Sequence, residues 1–152
     1  MTIRGARYGH TNLIARDWRR VAAFYEKLFG CQVVLPERDY AGPTLEAGTG
    51  VSGSTVRGVH LRLPGYGPTG PTLEIYTYSI EEDGPLPAVN RPGFAHIAFQ
   101  VDSVEEARRE VLAAGGSAVG EVVTLTTATG ARVIWCYVTD PEGNIVELQS
   151  WS

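Results

Sequence analysis

The chain has 152 residues, 43% of them hydrophobic and 20% charged, which suits a folded globular protein and excludes a disordered one. A net charge of −4 and a pI near 5.4 argue against nucleic acid or an anionic membrane as the main partner, because both call for a basic surface. No N-terminal segment resembles a signal peptide and no apolar run is long enough to span a bilayer, so a cytoplasmic protein is expected.

In chain order, residues 7–15 alternate loosely and predict a strand. Asp17 offers an N-cap, and Val21, Phe24, Tyr25 and Leu28 recur at helical spacing until Gly30 stops the helix. Cys31 to Leu35 is a short valine-rich strand. Residues 36–53, with Pro, Gly, Asp and Ser, predict a loop. Ser54 to Leu63 is a strand with Val59, Leu61 and Leu63 on one face and His60 and Arg62 on the other. A Pro- and Gly-rich turn over 64–71 leads into the strand Thr72 to Tyr78, which places Glu74, Tyr76 and Tyr78 on one face. Residues 79–92 are acidic, lack periodicity and serve as a connection.

The second half repeats the order. A strand over 94–101 contains His96 among apolar residues and ends at Asp102 and Ser103, either of which can cap the next helix. Helix 104–114 turns Val104, Ala107, Val111 and Leu112 inward and closes at Gly115-Gly116. Strands follow at about 117–125, 131–138 and 144–150, with turns at Thr129-Gly130 and Asp140-Pro141-Glu142-Gly143-Asn144. Each half is therefore strand–helix–strand–strand–strand, and one displacement lays His10 on His96 and Gly30 on Gly116. Cys31 and Cys136 belong to no CxxC pattern and are expected to be reduced core thiols.

Four polar residues interrupt the apolar strands: His10 and Glu74 in the first half, His96 and Glu147 in the second. Singly, a strand histidine is usually a hydrogen-bonded core residue and a strand glutamate usually faces water. Together they come from matching elements of two halves. A carboxylate set in a strand costs several kcal/mol if buried unpaired, and a divalent cation would offset that cost.

The two βαβββ halves, His10, Leu73-Glu74-Ile75, Ala95-His96-Ile97-Ala98-Phe99 and the run Asp140-Pro141-Glu142-Gly143-Asn144-Ile145-Val146-Glu147-Leu148 resemble the vicinal oxygen chelate superfamily. That group includes glyoxalase I, methylmalonyl-CoA epimerase, extradiol dioxygenases, and fosfomycin- and bleomycin-resistance proteins. The resemblance covers essentially the whole chain. It implies an α+β fold in which two βαβββ modules form an incomplete, barrel-like curved sheet around a metal site. It also implies one domain over 1–152, with module one at 7–78, the connection at 79–92 and module two at 93–152.

The same resemblance implies that His10, Glu74, His96 and Glu147 bind one divalent metal ion. This nitrogen and oxygen set suits Zn, Ni, Co, Mn or Fe without choosing among them. Glu147, or Glu74, would act as the base next to a metal-held carbonyl, which favours a lyase or isomerase of the glyoxalase or epimerase type. The alternatives are an Fe(II)-dependent ring-cleaving dioxygenase and a metal-free small-molecule binding protein. His60 roughly matches the place where epimerases carry an acid/base glutamate, and is a candidate for that work. Tyr76, Tyr78, Gln100, Trp135 and Tyr137 are candidate pocket walls, and Arg57, Arg62 and Arg132 candidate contacts for an anionic substrate. The expected partners are a small-molecule substrate and, on family grounds, a second copy of the chain as a homodimer.

Overall fold

Alternating strands with one apolar face need a helix to cover that face, and the computed structural model supplies one twice. It describes residues 2–152. The chain divides into two compact units, Met1–Glu82 and Asp83–Ser152.

The first unit runs β1 (His10–Ile14), α1 (Trp18–Phe29), β2 (Gln32–Tyr40), α2 (Pro43–Thr49), β3 (Val56–Arg62) and β4 (Thr72–Tyr78). Its sheet has the order β1-β4-β3-β2, with β1 parallel to β4 and the other pairs antiparallel. Asp17 caps α1 by accepting from the Arg20 amide at 3.1 Å, and Gly30 closes it with φ 66°, a left-handed conformation that glycine adopts without strain. Val21, Ala22, Phe24 and Tyr25 are the buried face of α1, which packs on β3 and β4. Val59, Leu61, Leu73 and Ile75 are each at most 1% exposed, and they form the core with it. The start of the helix is pinned by Thr77, whose Oγ1 accepts from the Trp18 amide and donates to the Ala15 carbonyl. With one sheet face covered, His60, Glu74 and Tyr76 are left on the other.

The second unit runs β5 (His96–Gln100), α3 (Val104–Ala113), β6 (Ser117–Ala118), β7 (Val123–Thr126), β8 (Arg132–Thr139) and β9 (Ile145–Trp151). The order is β5-β9-β8-β6, with β7 also on β8. Ser103 is the N-cap of α3, accepting from the Glu106 amide. Val104 and Val111 are buried against a sheet face that includes Phe99, Cys136, Val138, Val146 and Leu148. Asp140, 1% exposed, organises the turn between β8 and β9. Its carboxylate accepts from the amides of Glu142 and Asn144 and from Asn144 Nδ2, all at 2.9–3.0 Å. That turn sets the register that brings Glu147 opposite Tyr137.

The folds of both units are mixed α+β, as expected, with four corrections in detail. Residues 36–53 are loop only at 41–42 and 50–53: β2 continues through Pro36 to Tyr40, and α2 follows at Pro43–Thr49. A bulge between Val34 and Arg38 lets β2 pair on both sides of Pro36, which has no amide hydrogen to donate. The strand expected over 117–125 is broken into β6 and β7. Ser117 lies opposite Thr139 and Val123 opposite Trp135, as Gln32 lies opposite Arg62 and Arg38 opposite Gly58, so the break is the second unit's counterpart of that bulge. Leu112 is 38% exposed rather than inward. The left-handed glycine after α3 is Gly115, φ 95°, whereas a Cβ on Gly116 would meet the Thr139 carbonyl and Val111. Gly116 thus serves close packing and does not match Gly30 in role. Cys31 and Cys136 are free, buried thiols; burial pushes Cys31 up to about 11 and raises Cys136, which keeps both protonated.

Gly58 links the core to the other face. It lies opposite Tyr76 on β4, and a Cβ there would collide with the Ile75 carbonyl and the Tyr76 ring. Gly58→Ala should therefore destabilise the protein by about 2 kcal/mol, read as a lower denaturant midpoint at unchanged slope. An unchanged midpoint would show that the β4 backbone at Ile75 and the Tyr76 ring both give way freely.

Candidate metal centre

In the first unit, three polar side chains meet around the Glu74 carboxylate, two of them at one oxygen. Strand register explains why. Glu74 pairs with Asn12 on β1 and with His60 on β3, and paired residues point to the same side of a sheet. His10 lies two residues before Asn12, so it shares that side. Glu74 Oε2 is 2.9 Å from His60 Nε2 and 3.7 Å from His10 Nε2. Asn12 Nδ2 donates to the other oxygen, Glu74 Oε1, at 2.8 Å. His60 Nδ1 sits 3.1 Å from the hydroxyl of buried Thr72, and Tyr76 Oη is 3.3 Å from His60 Nε2. The rings of His10 and His60 meet edge to face at 5.6 Å.

One ligand atom from each of His10, His60 and Glu74 lies within 4.8 Å of the others. Burial pushes the His60 imidazole below its ordinary range and outweighs the opposing pull of Glu74, so the ring is neutral near pH 7 with a lone pair to offer. Burial, with Glu74 next, pushes the Tyr76 phenol up to about 12, which keeps it a neutral donor.

The second unit builds its pair by the same rule. His10 stands opposite Thr72, two residues before Glu74; His96 stands opposite Ile145, two residues before Glu147. His96 Nε2 is 2.9 Å from Glu147 Oε2. Here, however, the residue opposite the glutamate on the first strand is Ala98 in place of Asn12. The one on the antiparallel strand is Tyr137 in place of His60. Tyr137 stacks obliquely on His96 at 4.9 Å, with Trp135 beyond it, and burial raises its phenol. Glu147 therefore lacks an amide partner at the position where Glu74 has one.

Each unit thus brings one expected histidine and its glutamate together, His10 with Glu74 and His96 with Glu147. The first also adds His60, expected as an acid/base and found at hydrogen-bond distance from Glu74. Asn12 and Thr72 were not among the sequence candidates. The signal was available: each lies two residues from a named candidate, on the same strand face. Of the arginines expected to contact substrate, Arg57 is paired with Asp39 at 3.2 Å and Arg62 donates to the Gly70 carbonyl.

The first unit's donors fit a divalent cation. They are imidazole nitrogens and a carboxylate oxygen without thiolate, and two of the three are oriented by neighbours, Thr72 for His60 and Asn12 for Glu74. The family model of the Glyoxalase/Bleomycin resistance protein/Dioxygenase superfamily matches residues 7–148. The chain belongs to that superfamily.

Solved structures agree with this glyoxalase-type fold. A glyoxalase family protein from Bacillus cereus superposes with a TM-score of 0.81 at 18% identity, covering 99% of each chain. A glyoxalase/bleomycin resistance protein/dioxygenase domain from a Frankia species gives 0.60 at 16% identity, covering 97% of this chain and 98% of that one. The trypanothione-dependent glyoxalase I of Leishmania major gives 0.60 at 24% identity, covering 96% of this chain and 87% of that one. At these identities the likeness is one of fold. No curated protein matches the chain significantly. Among the described residues, no helix is long and apolar enough to cross a membrane.

Proposed function

We propose that this superfamily member is a metal-dependent lyase or isomerase of the glyoxalase or epimerase type, which moves a proton on carbon next to a carbonyl. The observation that carries the reading is the repeated His–Glu pair, set in the same register in both units. His10 and Glu74, with His96 and Glu147, would hold one divalent cation, whose Lewis acidity stabilises negative charge developing on the substrate oxygen.

The chain's own groups then divide the proton chemistry. Glu74 is held by Asn12 and His60, which fixes its carboxylate. Glu147 has no such amide clamp and is the better base: its carboxylate takes the proton as the C–H bond breaks, and the electron pair moves toward the carbonyl. Return of a proton to the same carbon from its other face completes an epimerisation; return to the neighbouring carbon, with the first carbon's hydroxyl proton passing to the second carbon's oxygen, completes a glyoxalase-type isomerisation. His60 sits beside Glu74 in the first unit, with Tyr76 as a neutral donor next to it. The substrate is a small molecule, and the working form is a cytoplasmic homodimer.

A second reading rests on a separate observation. His10, His60 and Glu74 form a two-histidine, one-carboxylate group, a donor set used by non-haem Fe(II) oxygenases. One experiment separates the two. The metal-loaded protein is incubated in deuterated water with hemithioacetals of 2-oxoaldehydes and with acyl-CoA esters, and in parallel with catechols under air. The lyase or isomerase reading expects deuterium at the carbon next to the carbonyl and no oxygen uptake. Oxygen uptake with ring cleavage, and no deuterium exchange, would replace it with the dioxygenase.

A further inference from the structure

We propose that His60 is a metal ligand, and that His10, His60 and Glu74 suffice to hold a divalent cation in the first unit without His96 or Glu147. The inference rests on the reading of His10 and Glu74 as ligands and adds to them a third donor, from β3.

Three features carry it. First, both histidines address the same oxygen: Glu74 Oε2 is 2.9 Å from His60 Nε2 and 3.7 Å from His10 Nε2. Ligand atoms from all three residues fall within 4.8 Å of one another, a spacing that one cation can bridge. Second, the other atoms are already occupied. Glu74 Oε1 accepts from Asn12, and His60 Nδ1 lies against the Thr72 hydroxyl, a residue only 7% exposed. Such partners fix carboxylate and ring orientation in metal sites, and here they leave Oε2 and Nε2 facing each other at 2.9 Å, with the Tyr76 hydroxyl 3.3 Å from Nε2. Third, the second unit has none of these additions. The positions of His60, Asn12 and Thr72 correspond there to Tyr137, Ala98 and Ile145. A phenol, a methyl and an aliphatic chain cannot reproduce the arrangement. The first unit thus offers three donors where the second offers a pair.

Three donors of the first unit would keep a cation in place while Glu147 takes up a proton.

The test is a cobalt(II) titration of the untagged full-length chain, followed by the visible absorption of the bound ion and by elemental analysis. The His96→Ala/Glu147→Gln protein should still take up one Co(II) per chain, at lower affinity than the parent, since the three donors of the first unit remain. His60→Gln, which retains an amide able to bond Thr72, should weaken Co(II) binding more than about 100-fold in either background. His60→Ala serves as the second variant, and far-ultraviolet circular dichroism confirms that each protein is folded. Should the double variant fail to fold, His96→Ala alone replaces it. Parental affinity in His60→Gln, with loss of Co(II) in the His96 and Glu147 variants, would overturn the proposal and leave the four-residue site standing. A parent chain that binds no Co(II) would overturn both.

Discussion

The His10→Ala protein should bind a divalent metal at least about 100-fold more weakly than the parent while keeping its fold and stability, because a ligand counts for more than the outer-shell groups whose loss costs 10- to 100-fold. His10 shares Glu74 Oε2 with His60, and its side chain is half exposed at the start of β1. Removing the imidazole opens no core cavity, so the unfolding midpoint should stay within the small range of surface substitutions. The measurement is metal content after dialysis against a weak chelator, alongside a thermal melt without added metal. Unchanged metal content would remove the first unit's site from consideration. A large fall in metal-free stability would instead make His10 a structural residue.

Glu147→Gln should slow exchange of the substrate's acidic C–H by about 100- to 10,000-fold, the range for loss of a positioned general base. Glutamine preserves the shape and can still meet His96, so the β8–β9 turn and the core beneath Leu148 should be undisturbed. The informative comparison is Glu74→Gln. That change strikes the carboxylate clamped by Asn12 and His60, and should lower metal affinity first and exchange as a result. Saturating metal should therefore rescue Glu74→Gln in part and leave Glu147→Gln impaired. Equal rescue of both would show that Glu147 is no base. The assay is hydrogen–deuterium exchange at fixed substrate over a series of metal concentrations.

Much of this architecture was legible in the amino-acid order. The ends of α1 follow from Asp17 and Gly30, since capping and a left-handed stop are local effects of those side chains. The Asp140 turn is local in the same way, its carboxylate closing on amides two and four residues ahead. Alternation on β4 marks Glu74 as facing away from Leu73 and Ile75, and that is where it stands. The duplicated order of elements is also visible, because each half must cover one apolar sheet face with a helix.

Other features depended on partners distant in the chain. Residues 36–40 carry proline and charge and look irregular alone, yet they are a strand because β3 supplies hydrogen bonds from Val56, Arg57 and Gly58. Pairing of that kind overrides local propensity. The Asn12–Glu74 bond joins residues in β1 and β4 that meet only through the parallel register of those strands. The sequence by itself determined which side chains could bind metal and which strand face each would occupy, since both follow from residue chemistry and the two-residue period of a strand. Only the tertiary structure decided that His60 joins His10 and Glu74, with Asn12 and Thr72 as their supports. Strand register sets that choice, and register is fixed by bulges, turns and helix packing spread along the whole unit.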